Sequence, residues 1–387
     1  MADKKTVVVV GGGFAGYTLI RGLTCAEGGP EVILIDPRRE SVFLPLLPDT
    51  VAGKVKLSRL LFPLPDFCRR RGVTFINRAA ERLAGKNLLV LDDGEEVVFD
   101  YLVLACGMAP NFYGDDRAQK IAFTLAGKSE AEKIIGRLEE VIRRGRKHTF
   151  LVVGGGYTGV ETASALVYRQ RKAAGNDANL PFEVKIIELA PKILGNLPEA
   201  VSAPVRREVR RLGIDVVTSA DLKISEEGAV SVDGRPLSDC TLVWSAGMRT
   251  VDFIRGLSFP KARQDRLRVN PDLSLPGAAN IFALGNCASV TGPSGSLRMA
   301  VQFSWAQGKT AAGNILRLMS KRPTLTYRSR DYGYLVPLAS GKAWGGVLGL
   351  KVGGRVGSFL HYFMCVYRSL NLKNRMGIVR DLSRLFK

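Results

Sequence analysis

The chain has 387 residues, enough for two or three domains that each bury a core. It is 46% hydrophobic, lacks an unbroken apolar run of the ~18 residues a bilayer span needs, and passes from Met1-Ala2-Asp3-Lys4-Lys5 straight into a strand, which fits neither a secretory signal nor a transit peptide. Its net charge of +20 excludes no anionic partner and favours three classes: nucleic acid, anionic lipid and acidic small molecules.

Residues 6–36 read as a βαβ unit. The apolar run Thr6–Val10 leads into Gly11-Gly12-Gly13-Phe14-Ala15-Gly16, a helix follows over about 13–25, and a second strand over 31–35 ends at Asp36. The first glycine allows the tight turn, the second lets the backbone approach a pyrophosphate, and the third lets the helix pack on the strand. Asp36 lies twenty residues after Gly16, the distance at which a carboxylate takes the adenosine ribose hydroxyls. Next come an apolar, proline-bearing loop at 42–48 and the basic triplet Arg69-Arg70-Arg71. A strand at 73–76 follows, then a meander through 88–91 and 96–99. A buried-strand pattern at 101–105 ends in Ala105-Cys106-Gly107.

A charged helix is expected over 128–146. From Thr149 the first pattern repeats. Phe150-Leu151-Val152-Val153 precedes Gly154-Gly155-Gly156-Tyr157-Thr158-Gly159, and a long helix follows. A small, polar insert at 172–179 delays the strand 183–187, which ends in Glu188. A second meander, 215–217, 229–232 and 241–244, ends in Ser245-Ala246-Gly247. A strand at 280–284 then leads to Gly285-Asn286-Cys287, followed by a helix over about 299–319 that carries Gln302. Two similar nucleotide-binding domains, one inserted in the other, account for this order. The expected boundaries are 1–112 with 271–325 for one domain, 113–270 for the other, and 326–387 for a separate C-terminal segment.

That segment is basic. From Gly341 to the end the only acid is Asp381. It contains the apolar stretch 359–367, and Ile378, Leu382, Leu385 and Phe386 fall on one helical face with Arg380, Arg384 and Lys387 off it. An aromatic, apolar face beside lysines and arginines is the pattern of an interfacial helix; a core-packing helix or a homodimer contact would use the same residues.

Six cysteines at 25, 68, 106, 240, 287 and 365 form no CxxC or zinc spacing, and neither His148 nor His361 sits in a matching motif. No metal site is expected. Two glycine fingerprints without an acid/base constellation suit hydride transfer between two bound dinucleotides, where the cofactors supply the reactive atoms. Glu188, at the second strand end, would accept hydrogen bonds from a free 2′-hydroxyl and repel a 2′-phosphate, favouring NADH over NADPH. Glu161, two residues after Gly159, lies near a positive helix end; dipole complementation and a role beside the cofactor both remain open.

These motifs resemble the type II NADH dehydrogenases, single-subunit NADH:quinone oxidoreductases of the two-dinucleotide-binding flavoprotein superfamily. The carrying segments are Val9 to Gly16, Ile35-Asp36-Pro37-Arg38-Arg39, Phe43-Leu44-Pro45-Leu46-Leu47, Val152 to Glu161, Trp244-Ser245-Ala246-Gly247, Ile281 to Gly285, and Gln302 to Gly308. The resemblance implies an α/β fold of two Rossmann-like, glutathione-reductase-like domains with an amphipathic, membrane-associating C-terminal segment. It implies hydride transfer from NADH to FAD and electron transfer to a membrane quinone without proton pumping. FAD is expected on Gly11, Gly13, Phe14, Ala15, Gly16, Asp36, Arg38, Ala105, Cys106, Gly107, Gly285 and Asn286. NADH is expected on Gly154, Gly156, Tyr157, Thr158, Gly159, Glu188, Ala246 and Gly247. Glu161 and Gln302 are the implied catalytic residues.

Two departures stand out. Ala306 replaces the second glutamine of the family's Ala-Gln-x-x-x-Gln motif, and Gly285-Asn286 replaces its Gly-Asp. An amide makes a hydrogen bond about half as strong as a carboxylate's, which would loosen FAD or shift its potential. Cys106, where a threonine or similar polar residue is common, softens the same contact. The resemblance places the protein peripherally on the cytoplasmic face of the cell membrane, with an anionic surface as partner. Two rivals share parts of the pattern: a sulfide:quinone oxidoreductase, whose cysteine contexts are not recognisable here, and a flavin-loaded, DNA-binding protein resembling apoptosis-inducing factor. Nucleic acid is the less favoured partner, because single basic clusters are more often solvated faces.

Overall fold

Val7, Val8 and Val9 are fully buried, as a strand between two neighbours inside a covered parallel sheet requires. The computed structural model describes residues 4–26, 28–175, 182–292 and 295–384. The chain forms two compact units, one of 1–41, 63–109 and 248–331, the other of 42–62, 110–247 and 332–387.

In the first unit a six-stranded sheet runs in the order Ser274–Leu275, Ala278–Ala283, Tyr101–Leu104, Thr6–Val10, Glu31–Ile35, Thr74–Ile76. Only the Ser274–Leu275 edge is antiparallel. Val10 pairs with Ile35 on one side and Leu104 on the other, and Leu104 pairs with Ala283. Four strands therefore end level with one another, and the loops that leave them share one edge of the sheet. The helix Phe14–Thr24 packs closely on Val301–Met319. A Cβ on Gly308 would lie 2.5 Å from the carbonyl oxygen of Ala15, and one on Gly22 would lie 2.7 Å from the Ala312 methyl. The helix starts at Val301 rather than 299.

The second unit repeats the plan with five parallel strands: Phe123–Thr124, Cys240–Trp244, Thr149–Val153, Glu183–Glu188, Asp215–Thr218. Val153 pairs with both Ile187 and Trp244. The charged helix is Lys128–Arg144; it stops before 146 because Gly145 turns left-handed, at φ 60°. Tyr157–Ala174 takes in residues 172–174 of the expected insert, whose residues 176–179 lie outside the described ones.

The second unit also includes the loop 42–62 and the tail, a division that differs from the expected boundaries. The tail opens with an antiparallel sheet, Gly333–Leu338, Lys342–Val347 and Leu350–Val352, that the sequence reading did not mark. Val336 and Leu338 join Val51, Ala52, Leu166 and Val205 in one apolar core, so the segment has no separate core of its own. Two helices follow, Gly354–Arg368 and Leu372–Ser383. Here the expected amphipathic face is corrected. Ile378 is fully buried, because Gly377 beside it lets the helix seat against the Arg59 side chain and Asn374 donates to the Leu61 carbonyl at 2.9 Å. The outward apolar residues are Leu372, Met376 and Val379. Leu385, Phe386 and Lys387 lie outside the described residues.

Candidate functional site

The first glycine loop leaves the sheet at Val10. Gly11 has φ 107° and lies against the Ala105 backbone, where any Cβ would collide; a Cβ on Gly16 would collide with the Gly11 carbonyl. Gly13 N-caps the helix with no side-chain cap, no acid follows in the first turn, and nothing lies within 4 Å of where its Cβ would be. An open, uncapped helix N-terminus is a fit for a pyrophosphate: the amides point outward and the helix dipole favours negative charge. Phe14 and Ala15 begin that helix. Asp36, 1% exposed, accepts from the Gly12 amide at 2.8 Å. It also accepts from the Arg38 amide at 2.9 Å, from Nε at 3.0 Å and from the guanidinium NH2 at 3.1 Å. Those four bonds use the carboxylate's acceptor capacity, so a ribose reaches Asp36 only as the half-exposed Arg38 side chain swings away.

The other loops of that edge close in. Cys106 Sγ lies 3.6 Å from the Val10 carbonyl, Gly107 takes φ 72°, and Gly285 sits 3.4 Å (Cβ position) from the Ala15 methyl. The Gly285 amide donates to Gln307 Oε1 at 2.7 Å, so Gln307, which the sequence reading passed over, holds this turn. The backbone oxygen of Asn286 accepts from Arg266 Nε at 3.0 Å; that buried guanidinium also reaches the Ala288 and Leu297 carbonyls. Gln302 is buried, and its amide donates to Asp331 at 2.9 Å; Arg298 holds the same carboxylate at 2.6 Å. Burial pushes the Cys106 thiol well above its ordinary value, with Cys287 adding to it, and burial raises Cys287 as well. Neither supplies the thiolate that sulfur uptake needs at neutral pH.

The second loop repeats the first. Gly154 has φ 103° and lies against the Ala246 backbone; a Cβ on Gly159 would collide with the Gly154 carbonyl. Gly156 is again an open, uncapped N-cap, ahead of Tyr157 and Thr158. Glu188 takes the place of Asp36: Oε2 accepts from the Gly155 amide at 2.6 Å and Oε1 from Ala190 at 2.8 Å. These bonds leave acceptor capacity on both oxygens, so this carboxylate is ready for ribose hydroxyls. Tyr113, also unmarked in the sequence reading, is 69% exposed; its hydroxyl donates to the Ala246 carbonyl at 2.9 Å and covers Gly247. The Asn111-Phe112-Tyr113-Gly114 composition was the available signal: Asn111 Oδ1 caps the Tyr113 amide at 3.0 Å.

Glu161 lies buried on the helix after this loop. It lines a narrow cleft with Pro45, Pro48, Asp49, Ser164 and Tyr362 among its neighbours. Burial, then the Asp49 charge, holds its carboxyl well above the usual range. Tyr362 donates to Asp49 Oδ1 at 2.7 Å, and Lys54 Nζ donates to the Tyr362 hydroxyl at 3.3 Å. Lys54 also stands over the Tyr168 ring at 4.7 Å. Ser164 ties the helix to the tail sheet by accepting from the Ala339 amide at 3.0 Å. Asp49, Lys54 and Tyr362 carry no motif, and only the folded tail brings them to Glu161.

Comparison with known proteins agrees with this geometry. Over 95% of this chain and 93% of the relative, the sequence is 28% identical to demethylphylloquinone reductase NdbB of Synechocystis sp.. A type II NADH:quinone oxidoreductase of Staphylococcus aureus is 25% identical over 92% of this chain and 93% of its own. Among solved structures, NDH2 from Plasmodium falciparum in complex with NADH superposes with a TM-score of 0.87, 16% identity, and 99% and 98% coverage. The sulfide:quinone oxidoreductase of Aquifex aeolicus gives a TM-score of 0.77 at 17% identity, covering 96% and 92%. The sequence profile of the pyridine nucleotide-disulphide oxidoreductases matches residues 5–312, and the chain belongs to that family.

Proposed function

We propose that this protein is an NADH:quinone oxidoreductase that passes electrons from NADH through FAD to a membrane quinone without pumping protons. The observation that carries it is the duplicated, uncapped glycine loop, each with a strand-end carboxylate on its second glycine amide. The first unit holds FAD on Gly11–Gly16, Asp36, Arg38, Ala105–Gly107 and Gly285-Asn286; the second holds NADH on Gly154–Gly159, Glu188 and Ala246-Gly247. FAD, when bound, accepts a hydride and gives up the electron pair. The chain's residues do the rest: the glycine amides bind the pyrophosphates, Glu188 selects the unphosphorylated ribose, and Tyr113 covers Gly247 until the cofactor enters. Glu161 and Gln302 serve the reacting ends.

The partner surface lies on the tail. Phe359, Phe363 and Tyr367 form one exposed stripe, and Leu372, Met376 and Val379 a second, beside exposed Lys351, Arg355, Lys373 and Arg380. This pattern supports docking on an anionic membrane, which we place at the cytoplasmic face of the cell membrane; a second copy of the chain is the competing occupant. No helix among the described residues is long and apolar enough to cross a membrane. The basic clusters elsewhere are partly neutralised, by pairs such as Arg69 with Asp66, Arg144 with Glu140, and Arg206 with Glu199, which argues against nucleic acid. The test is anaerobic. The purified chain should show a flavin spectrum, NADH should bleach it, and a quinone should restore it. A colourless chain, or a flavin that NADH leaves unchanged, overturns the reading.

A further inference from the structure

Arg266 is 8% exposed and bonds to backbone oxygens alone: Nε donates to the Asn286 carbonyl at 3.0 Å, and the two terminal nitrogens donate to Ala288 at 2.6 Å and Leu297 at 3.3 Å. No carboxylate among the described residues pairs with it; the adjacent Asp265 turns instead to Arg255 at 3.4 Å. Burial lowers its affinity for the proton, yet a guanidinium stays charged at any pH near neutral. A buried charge without a counter-charge is costly and persists only where fixed dipoles hold it. The backbone is strained to place this one. Gln264 and Asp265 take φ 64° and 57°, two successive left-handed residues that are not glycine. Thr250, fully buried, holds their turn: its amide donates to the Gln264 carbonyl at 3.3 Å and its hydroxyl to the Asp265 carbonyl at 3.2 Å. On the other side Leu267 pairs with Ala288, so Arg266 is fixed from both directions.

The turn that Arg266 holds, Gly285-Asn286-Cys287, leaves the same sheet edge as the first glycine loop. The other ionisable groups there cancel or are neutral. Asp36 is paired with Arg38 at 3.0 Å, and burial keeps the Cys106 and Cys287 thiols protonated. Asn286 supplies an amide where a carboxylate would offset the guanidinium, and its side chain takes no partner among the described residues. We propose that Arg266 is a positioning residue for the flavin: it fixes the Gly285-Asn286-Cys287 turn and, with no carboxylate to cancel it, gives that turn a positive charge that favours the reduced form of the cofactor. Two electrons and one proton taken from NADH leave FAD one unit more negative, and a buried cation stabilises the more negative form. The amide at 286 therefore raises the potential rather than lowering it, because it leaves Arg266 uncompensated. This inference rests on the proposed function, in particular on FAD at the first glycine loop, and adds to it what sets the cofactor's potential.

The experiment is a redox titration of the flavin absorbance in the full-length, FAD-loaded chain, run with FAD binding by the stripped chain, read from flavin fluorescence. Arg266→Gln removes the charge and should weaken the hold on reduced FAD relative to oxidised FAD by about tenfold, which lowers the midpoint potential by about 30 mV. Asn286→Asp cancels the charge while leaving the three bonds of Arg266 in place. It should lower the potential by a similar amount, and it serves if Arg266→Gln fails to fold. Arg266→Lys keeps the charge but not the fork that spans three carbonyls; it should bind both forms of FAD more weakly with the potential unmoved. A potential unmoved in folded Arg266→Gln or Asn286→Asp overturns the inference. So does one that falls as far in Arg266→Lys as in Arg266→Gln, since Arg266 would then act on the fold alone. An unmodified chain that binds no FAD counts against the proposed function, whereas a loaded chain whose potential ignores these variants counts against Arg266.

Discussion

His361 is a residue whose protonation is set by where the tail folds. Its ring meets Tyr362 edge-on at 5.2 Å, its Nε2 lies 3.6 Å from Cys365 Sγ, and burial with the Lys54 charge brings it from 6.5 down to about 4. Between those two values the unfolded chain binds a proton that the folded chain refuses. Stability therefore rises with pH across that window, and His361's share is lost as pH falls from about 6.5 toward 4. A displacement of that size amounts to roughly 3 kcal/mol at the acid end. Urea unfolding at pH 7 and near pH 4.5 should show the drop, and His361→Gln, with no imidazole to titrate, should flatten it. Equal slopes for the two proteins would show that other groups govern acid unfolding. An isolated histidine in an apolar stretch gave no sign of this, because Lys54, whose charge helps hold it neutral, lies far from it in the chain.

At the scale of elements, the two glycine loops have the same backbone and should fail in different ways. A Cβ on Gly16 or on Gly159 would collide with the carbonyl of the first glycine of its own loop, so each loop has to open. Overpacking of this kind costs about 1–3 kcal/mol. Gly159→Ala should keep its yellow flavin while its KM for NADH rises by an order of magnitude or more, and Gly16→Ala should purify nearly colourless. Flavin absorbance per chain and steady-state kinetics read the two effects; flavin loss in Gly159→Ala would reverse the assignment of the loops. These elements were legible in the sequence because local patterns specify them: a valine run, glycines at set spacing, and an acid at the next strand end. The same holds for the strands Thr6–Val10, Glu31–Ile35 and Thr149–Val153, whose paired register then brings the loops to one sheet edge. The tail sheet Gly333–Leu338 with Lys342–Val347 was not legible, since glycine and proline interrupt its alternation and only burial against the second core selects strand. Asp49, Lys54 and Tyr362 were missed for a related reason: a polar cluster assembled from distant segments has no spacing to read. The amphipathic tail was legible in kind but not in face, because helical periodicity alone cannot say which stripe the neighbouring loop covers.

At the scale of the molecule, a net charge of +20 sits with an apolar surface that folding leaves uncovered. Phe359 is 68% and Phe363 57% exposed, their rings are 6.4 Å apart, and Gly357, His361 and Cys365 fill the opposite side of the same helix. A helix that packs through one side and shows stacked phenylalanines on the other is suited to an apolar partner, and exposed Lys351, Arg355, Lys373 and Arg380 around it suit an anionic one. Burying a phenylalanine side chain is worth roughly 1.5–3 kcal/mol, so replacing both by serine should weaken partition onto anionic vesicles by about 100-fold or more. Thermal stability should change little, because both side chains already face solvent. Residual binding should fall further as salt screens the basic rim, whereas neutral vesicles should bind weakly at any salt. Flotation with phosphatidylserine-containing and pure phosphatidylcholine vesicles separates the two contributions. Sedimentation of the same proteins tests the other occupant: a dimer that the double variant dissociates, in a chain that floats with neither vesicle, would assign the face to a second copy of the chain and remove the membrane from the reading.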